Sequence, residues 1–304
     1  MSFSQTAGRE GMTREQSEVE RIIQEVQDEL IGMKNIKDEL RRQASFAEVI
    51  RLRRHHELPV EKITLHMVFK GAPGTGKTML ARKLAKLYKA IGLIRENKLV
   101  EVDRSNLIGS ALGDTEKLVV SAFEQAKNGI LFIDEAYAVA GISAEDVTKD
   151  LPDAYSKAAI NTMLKLMEDY RSSIVVIVAG YEAPMDRFLK TNVGFKSRFS
   201  KTFVFPNYNK EQLLQIFEKF ASEAKYTLDD GAISRVRQHI ATWDIDAKDF
   251  GNAREVRNFF EAILPMQALR IAGTEGFRSF PKDDFTKITA DDVIEATEAH
   301  NARL

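Results

Sequence analysis

Between about residues 64 and 206, short apolar runs alternate with stretches whose apolar residues recur every three to four positions. Runs of the first kind are buried strands, and stretches of the second kind are amphipathic helices. Strands are predicted at residues 65–69, 99–102, 130–133, 174–179 and 202–205. Helices are predicted near 77–90, 115–127, 155–170 and 184–190. Alternation of this kind builds a parallel sheet wrapped by helices. After Pro206 the strand pattern stops. Helical periodicity follows near 209–224, 229–242, 251–272 and 290–301, which sets a boundary at about 206–209. Ahead of the sheet, Val19, Ile22, Ile23, Val26 and Leu30 share a helical face behind a possible capping box of Thr13 and Gln16. Gly32 ends that helix. A second helix, about 34–57, closes on Arg51, Arg53, Arg54, His55 and His56, a charge cluster read as a solvated helix end. Residues 1–12 are polar and are expected to form a frayed tail.

Composition narrows the function classes. The chain has 304 residues, 44% hydrophobic and 29% charged, in the ordinary range of globular proteins. A formal net charge of −1 gives no global pull toward nucleic acid or acidic lipid. The absence of cysteine excludes disulfides, thiolate nucleophiles and cysteine metal sites. No signal-peptide core and no apolar run of membrane-spanning length is present, so a cytoplasmic protein is expected.

Two motifs carry chemistry. Gly71-Ala72-Pro73-Gly74-Thr75-Gly76-Lys77-Thr78 fits the Walker A pattern and lies between a predicted buried strand and a helix. Its glycines let backbone N–H groups turn toward phosphate oxygens, and the helix N-terminus adds favourable partial charge. Lys77 is expected at the β and γ phosphates, with Met79 following in the helix; the Thr78 hydroxyl is expected on Mg²⁺. The second motif is the apolar run 130–133 followed by Asp134 and Glu135, two carboxylates at a strand's C-terminal end. Asp134 is expected to hold Mg²⁺ through water, and Glu135 to polarise the attacking water. The second motif lies 134 − 78 = 56 residues after Thr78, with one strand and two helices between.

Together these residues resemble the AAA+ superfamily. The likeness is to the branch holding red-type Rubisco activase, sporulation stage V protein K and the ATPase domain of the type VII secretion machinery. Its marks are Leu65-His66-Met67, Gly129 through Tyr137, Val178-Ala179-Gly180-Tyr181, Gly194-Phe195-Lys196-Ser197-Arg198-Phe199 and Gly251-Asn252-Ala253-Arg254, spread over about residues 28–272. The resemblance implies an α/β P-loop nucleotide-binding domain at 28–206 after a tail and helix at 1–27, then a small α-helical lid at 207–304. It implies ATP and Mg²⁺ as cofactors and a homo-oligomeric, hexameric ring acting on a protein partner, with nucleic acid not expected.

Residue roles implied by the resemblance are specific. Arg198 matches the finger that reaches the γ-phosphate of the neighbouring subunit, with Lys201 where some relatives carry a second finger. A surface ion pair is the alternative for Arg198. Arg254 matches sensor 2 on the lid, with a structural salt bridge as its alternative. Tyr181 occupies the sensor-1 place, where most relatives have Asn or Thr, and Asn161 is a nearby polar alternative. Leu30, Ile31 and Gly32 match the linker that covers adenine, or else a helix end packed on the core.

The pore loop departs from the family. Threading rings carry an aromatic residue after the second strand, whereas this loop reads Leu107-Ile108-Gly109-Ser110-Ala111-Leu112-Gly113, with Ala111 at the aromatic position. A methyl group grips a chain far less than a ring does. Leu112 remains for a weak grip. Residues 138–157, with Glu145, Asp146, Asp150, Asp153 and Tyr155, are expected to form a mobile pore-facing loop. Three readings therefore stand: an ATP-driven remodeller of a protein partner, a nucleotide-dependent switch or scaffold, or, resting on the basic cluster at 51–56 alone, an ATPase that acts on nucleic acid.

Overall fold

The computed structural model describes residues 14–60, 64–111, 113–145 and 152–301. The expected capping box, through Thr13, and the expected pore-loop contact of Leu112 lie outside them, as do Asp146 and Asp150. The described chain forms two units. One comprises the chain through Gly71 and then Gly76–Phe205; the other comprises Ala72–Thr75 and the chain from Pro206 onward.

The first unit is a parallel sheet of β1 (Met67–Gly71), β2 (Leu99–Val102), β3 (Ile130–Ile133), β4 (Val175–Gly180) and β5 (Lys201–Phe205). Their spatial order is β2-β3-β4-β1-β5. Residues of each central strand alternate between two cores. Leu131, Ile133, Val176 and Val178 face one core, with Val119 and Phe123 of α5 (Asp114–Ala126) and Met163 of α7 (Ala154–Asp169). Phe69, Ile130, Phe132 and Ile177 face the other, with Leu80, Leu84 and Tyr88 of α3 (Lys77–Ala90). Burial on both faces explains why these strands read as continuous apolar runs.

Helix α1 (Arg14–Glu29) joins this second core through Ile22 and Val26, and α2 (Lys34–His55) through Leu40 and Ala44. Lys83 of α3 bonds Glu25 and Glu29 at 2.9 and 2.6 Å, tying α1 down. The chain turns between α1 and α2 at Gly32, φ 68°. At the end of α2, Arg53, His55 and His56 are exposed, and Arg53 donates to the Pro59 carbonyl.

Strand β1 begins two residues later than periodicity places it. The reason is His66, whose Nδ1 accepts the Val176 N–H at 3.0 Å and so takes a donor that backbone pairing would otherwise use. Three short helices add to the predicted set: α4 (Arg104–Leu107), α6 (Ala136–Val139) and α9 (Val193–Arg198). They are too brief for periodicity to reveal. The loop expected over 138–157 is accordingly shorter, because α6 holds its start and α7 its end. Helix α8 (Glu182–Lys190) completes the unit.

The second unit packs α10 (Lys210–Glu223), α11 (Asp230–Thr242), α12 (Ala253–Ala272) and α13 (Ala290–Asn301). Helix α10 opens on a capping box of Asn209 and Gln212. Phe217, Phe259, Phe260 and Trp243 form the aromatic centre, with Phe217 5.8 and 5.6 Å from Phe259 and Phe260. The two-residue strands β6 (Thr227–Leu228) and β7 (Lys287–Ile288) pair in parallel, an addition to the expected run of helices.

Candidate active site

All five strands run parallel, so their C-terminal ends lie along one edge of the sheet. The glycine-rich loop leaves β1, Asp134 and Glu135 leave β3, and Gly180 and Tyr181 leave β4 between them. At about 4.8 Å between neighbouring strands, the ends of β1 and β3 lie roughly 10 Å apart along that edge.

The loop's conformation follows from its glycines. Gly71 has φ 155°, and a Cβ there would lie 2.3 Å from the Phe205 carbonyl oxygen. Gly76, φ 97°, caps the N-terminus of α3 without a side chain. Lys77 Nζ donates to the Gly71 carbonyl at 2.8 Å, and Thr78 and Met79 are half-buried in the first turn. In the second unit, Thr75 is fully buried and its hydroxyl donates to the Ala72 carbonyl at 2.8 Å. A Cβ on Gly74 would lie 2.0 Å from the Gly251 carbonyl oxygen, so only glycine fits. The Gly71 and Ala72 carbonyls are thus engaged by side chains of the motif itself, which suits an anion-binding role, since a carbonyl turned toward phosphate would repel it.

At the end of β3, Asp134 is half-buried and its Oδ1 accepts the Glu135 N–H at 3.1 Å. Glu135 is exposed and left-handed, φ 46° and ψ 43°, a conformation that costs a non-glycine residue and is common where a side chain must be aimed. Both carboxylates line a cavity of about 600 Å³ with Asp103, Arg104, Ser105, Ile108 and Ala138. A hydroxyl, a carboxylate and phosphate oxygens are the hard donors that Mg²⁺ takes, so Thr78 and Asp134 fit it. Such an ion, when bound, would neutralise charge developing on the phosphates. Glu135 would then orient water, and Lys77 would hold the phosphate oxygens.

Sequence reasoning gave Tyr137 no role of its own. Its buried ring lies against Gly180, where a Cβ would come within 2.8 Å of it, and 6.5 Å from the Tyr181 ring. Burial, then the neighbouring Glu135 carboxylate, keeps its phenol protonated well above the usual range. Glycine at 180 beside an aromatic two positions after Glu135 was the available signal. Tyr181 is half-buried at the N-terminus of α8, and Asn161 is exposed on α7.

Arg198 closes α9. Its Nη1 donates to the Gly194 carbonyl at 3.2 Å, Nη2 lies 4.0 Å from Glu168, and the buried Nε has no partner among the described residues. Lys201 is engaged with Glu39 at 2.8 Å. Leu30 is fully buried and Ile31 half-buried. Arg254 is exposed in the first turn of α12.

The family model "ATPase family associated with various cellular activities (AAA)" matches residues 67–207, and the "AAA lid domain" model matches 209–303. The chain belongs to the AAA ATPase family. It is 35% identical over 281 residues to the chloroplastic ribulose bisphosphate carboxylase/oxygenase activase of Cyanidioschyzon merolae, covering 92% of this chain and 93% of that one. It is 34% identical over 284 residues to the ESX-3 secretion system protein EccA3 of Mycobacterium tuberculosis, covering 89% of this chain but only 44% of that protein. The chain thus spans less than half the length of this second relative. These AAA relatives lie in the branch named from the sequence. In fold, it matches the crystal structure of the FIGL-1 AAA domain in complex with ADP at TM-score 0.53 and 19% identity, covering 89% of this chain and 82% of that one. AAA membership supports nucleotide binding and ATPase activity in general. Among the described residues no helix is long and apolar enough to cross a membrane.

Proposed function

We propose that this chain binds ATP with Mg²⁺ and hydrolyses it at subunit interfaces of a ring, using the cycle to remodel a protein partner. The observation that carries the reading is the shared edge of the parallel sheet, where β1 ends on Gly71, bonded by Lys77, and β3 leads into Asp134 and Glu135. Arg198 supports the ring. It is a partly exposed cation at the end of α9, held by the Gly194 carbonyl at 3.2 Å and lying 4.0 Å from Glu168. In this assignment Arg198 completes the neighbour's site, and hydrolysis waits on assembly. The likeness to an activase and to a secretion-system protein favours a protein as the object of the cycle.

Mixing two inactive variants tests the ring. Lys77→Ala is expected to lose ATP binding, whereas Arg198→Ala is expected to bind ATP and hydrolyse it slowly. Mixed rings then contain interfaces that join an intact loop to an intact Arg198, and these recover hydrolysis. With subunit exchange proved by mixed-tag pull-down, activity that stays at the parental floor rejects the in-trans assignment.

A switch or scaffold ring is the second reading. It is favoured by Ala111, exposed and aliphatic where a threading loop needs an aromatic grip. A partner that raises the ATPase rate steeply supports remodelling; one that binds the ATP-loaded ring without altering its rate supports the switch.

A further inference from the structure

The carbonyl groups of the glycine-rich loop are bonded one after another. Gly71 accepts from Lys77 Nζ, Ala72 from the Thr75 hydroxyl and Gly76 from the Leu80 N–H. Within the second unit, Pro73 accepts from Asn252 Nδ2 at 3.2 Å, Gly74 from the Ala253 N–H at 3.2 Å and Thr75 from the Tyr208 hydroxyl at 3.3 Å. A phosphate loop works only if its N–H groups face the ligand and its carbonyls do not. Glycine-rich peptide planes rotate cheaply, so something must hold them.

Asn252 is built for that task. It is fully buried. Its Oδ1 accepts the Tyr208 N–H at 3.0 Å, which fixes the orientation of the amide. Its Nδ2 is shared among the carbonyls of Pro73 and Phe250, both at 3.2 Å, and Asn207 Oδ1 at 3.0 Å. Its backbone sits at φ 51° and ψ −122°, a region glycine enters freely and an L-residue does not. Backbone preference alone would select glycine here, so the side chain must justify the strain.

We propose that Asn252 is a positioning residue for the phosphate loop: its amide holds the Pro73 peptide so that the loop presents N–H groups, not carbonyls, to the nucleotide. This rests on the reading of residues 71–78 as the ATP site. Tyr208 serves the same end two peptides further along, at the Thr75 carbonyl, with a single bond.

Fluorescently labelled ADP, titrated against the full chain, is the test. Asn252→Gly relieves the backbone and deletes the amide; Asn252→Asp keeps the acceptor for Tyr208 but removes the donor to Pro73. Both are expected to weaken binding by roughly 5- to 30-fold, the loss of one to two net hydrogen bonds. Tyr208→Phe is expected to weaken it less. Gln267→Leu is the control for a merely loosened helical unit, since buried Gln267 donates to the Phe285 and Lys287 carbonyls and does not touch the loop. It is expected to lower Tm and leave ADP affinity unchanged. Wild-type affinity in both Asn252 variants overturns the proposal, as does an equal loss in Gln267→Leu at the same Tm. If Asn252→Gly does not fold, Asn252→Asp and Tyr208→Phe decide the matter by the same criteria. Lys77→Ala separates the two levels. If it binds ADP normally, the site assignment itself has failed and this proposal falls with it; if it loses binding while the Asn252 variants do not, only the positioning role has failed.

Discussion

His66 of the α/β unit and Asp292 of the helical unit are buried in opposite ways. The α/β unit buries His66, 1% exposed, as a neutral ring. Because Nδ1 accepts the Val176 N–H, the ring proton sits on Nε2, 3.3 Å from the Met167 carbonyl. Loss of hydration pushes its pKa down to about 4. The helical unit instead buries a full charge: Asp292, also 1% exposed, accepts two bonds from Arg270 at 2.8 and 2.9 Å and one from the Thr289 N–H at 2.9 Å. The hydrogen bonds that Arg270 donates to the Asp292 carboxylate raise the Arg270 pKa. A buried group either gives up its charge or keeps a partner for it. The first solution makes a unit sensitive to pH, and the second makes it sensitive to loss of the partner.

The largest expected effect sets chemistry apart from stability. Glu135→Gln keeps the shape of the β3 end but cannot polarise water, so kcat is expected to fall by roughly 10²-fold or more. Nucleotide affinity and Tm are expected to hold. Phosphate-release kinetics beside a binding titration check this, and a wild-type rate assigns the base to another group.

Next is the ion pair of the helical unit. Arg270→Leu strands the Asp292 charge and is expected to cost about 3–5 kcal/mol. Because Arg270 is partly exposed and Asp292 is not, most of that loss comes from the carboxylate. Denaturant unfolding followed by Trp243, the only tryptophan and a member of this unit's aromatic core, reads it directly. The double variant Arg270→Leu with Asp292→Leu is expected to recover most of the loss, since no buried charge remains. A double variant as unstable as the single would mean that packing, not charge, decides the site.

A smaller effect distinguishes the other unit. His66 binds its proton near pH 6.5 when unfolded and only near pH 4 when folded. Between those values the unfolded state holds the extra proton, so stability rises with pH. The full contribution is present above pH 6.5 and is lost as pH falls toward 4. Its size is about 3 kcal/mol. His66→Asn keeps an acceptor for Val176 without titrating, and is expected to flatten this part of the pH–stability curve in urea unfolding. An unchanged acid slope would place the sensitivity elsewhere.

Legibility followed the range of the interactions. Helix α3 and strand β3 were readable because each repeats a local pattern, and the Walker motifs because their chemistry is packed into a few consecutive residues. The start of β1 was not readable, since His66 meets Val176 110 positions away. Nor was the role of Asn252, 179 positions from Pro73, although it stood inside a motif that was noticed. Helices α4, α6 and α9 complete too few turns to show a period.

The sequence by itself determined the alternation of strand and helix, the phosphate loop, the two carboxylates after β3 and the family. Each is written in neighbouring residues or in their spacing. Only the tertiary structure decided the strand order, which brings the ends of β1 and β3 to one edge with β4 between them, and the partners of the buried polar groups. It set His66 against a strand, Tyr137 against Gly180, Arg270 on Asp292 and Asn252 under the Pro73 carbonyl. The physical reason is that a buried polar group must be satisfied, but its own sequence neighbours do not specify which distant group will satisfy it.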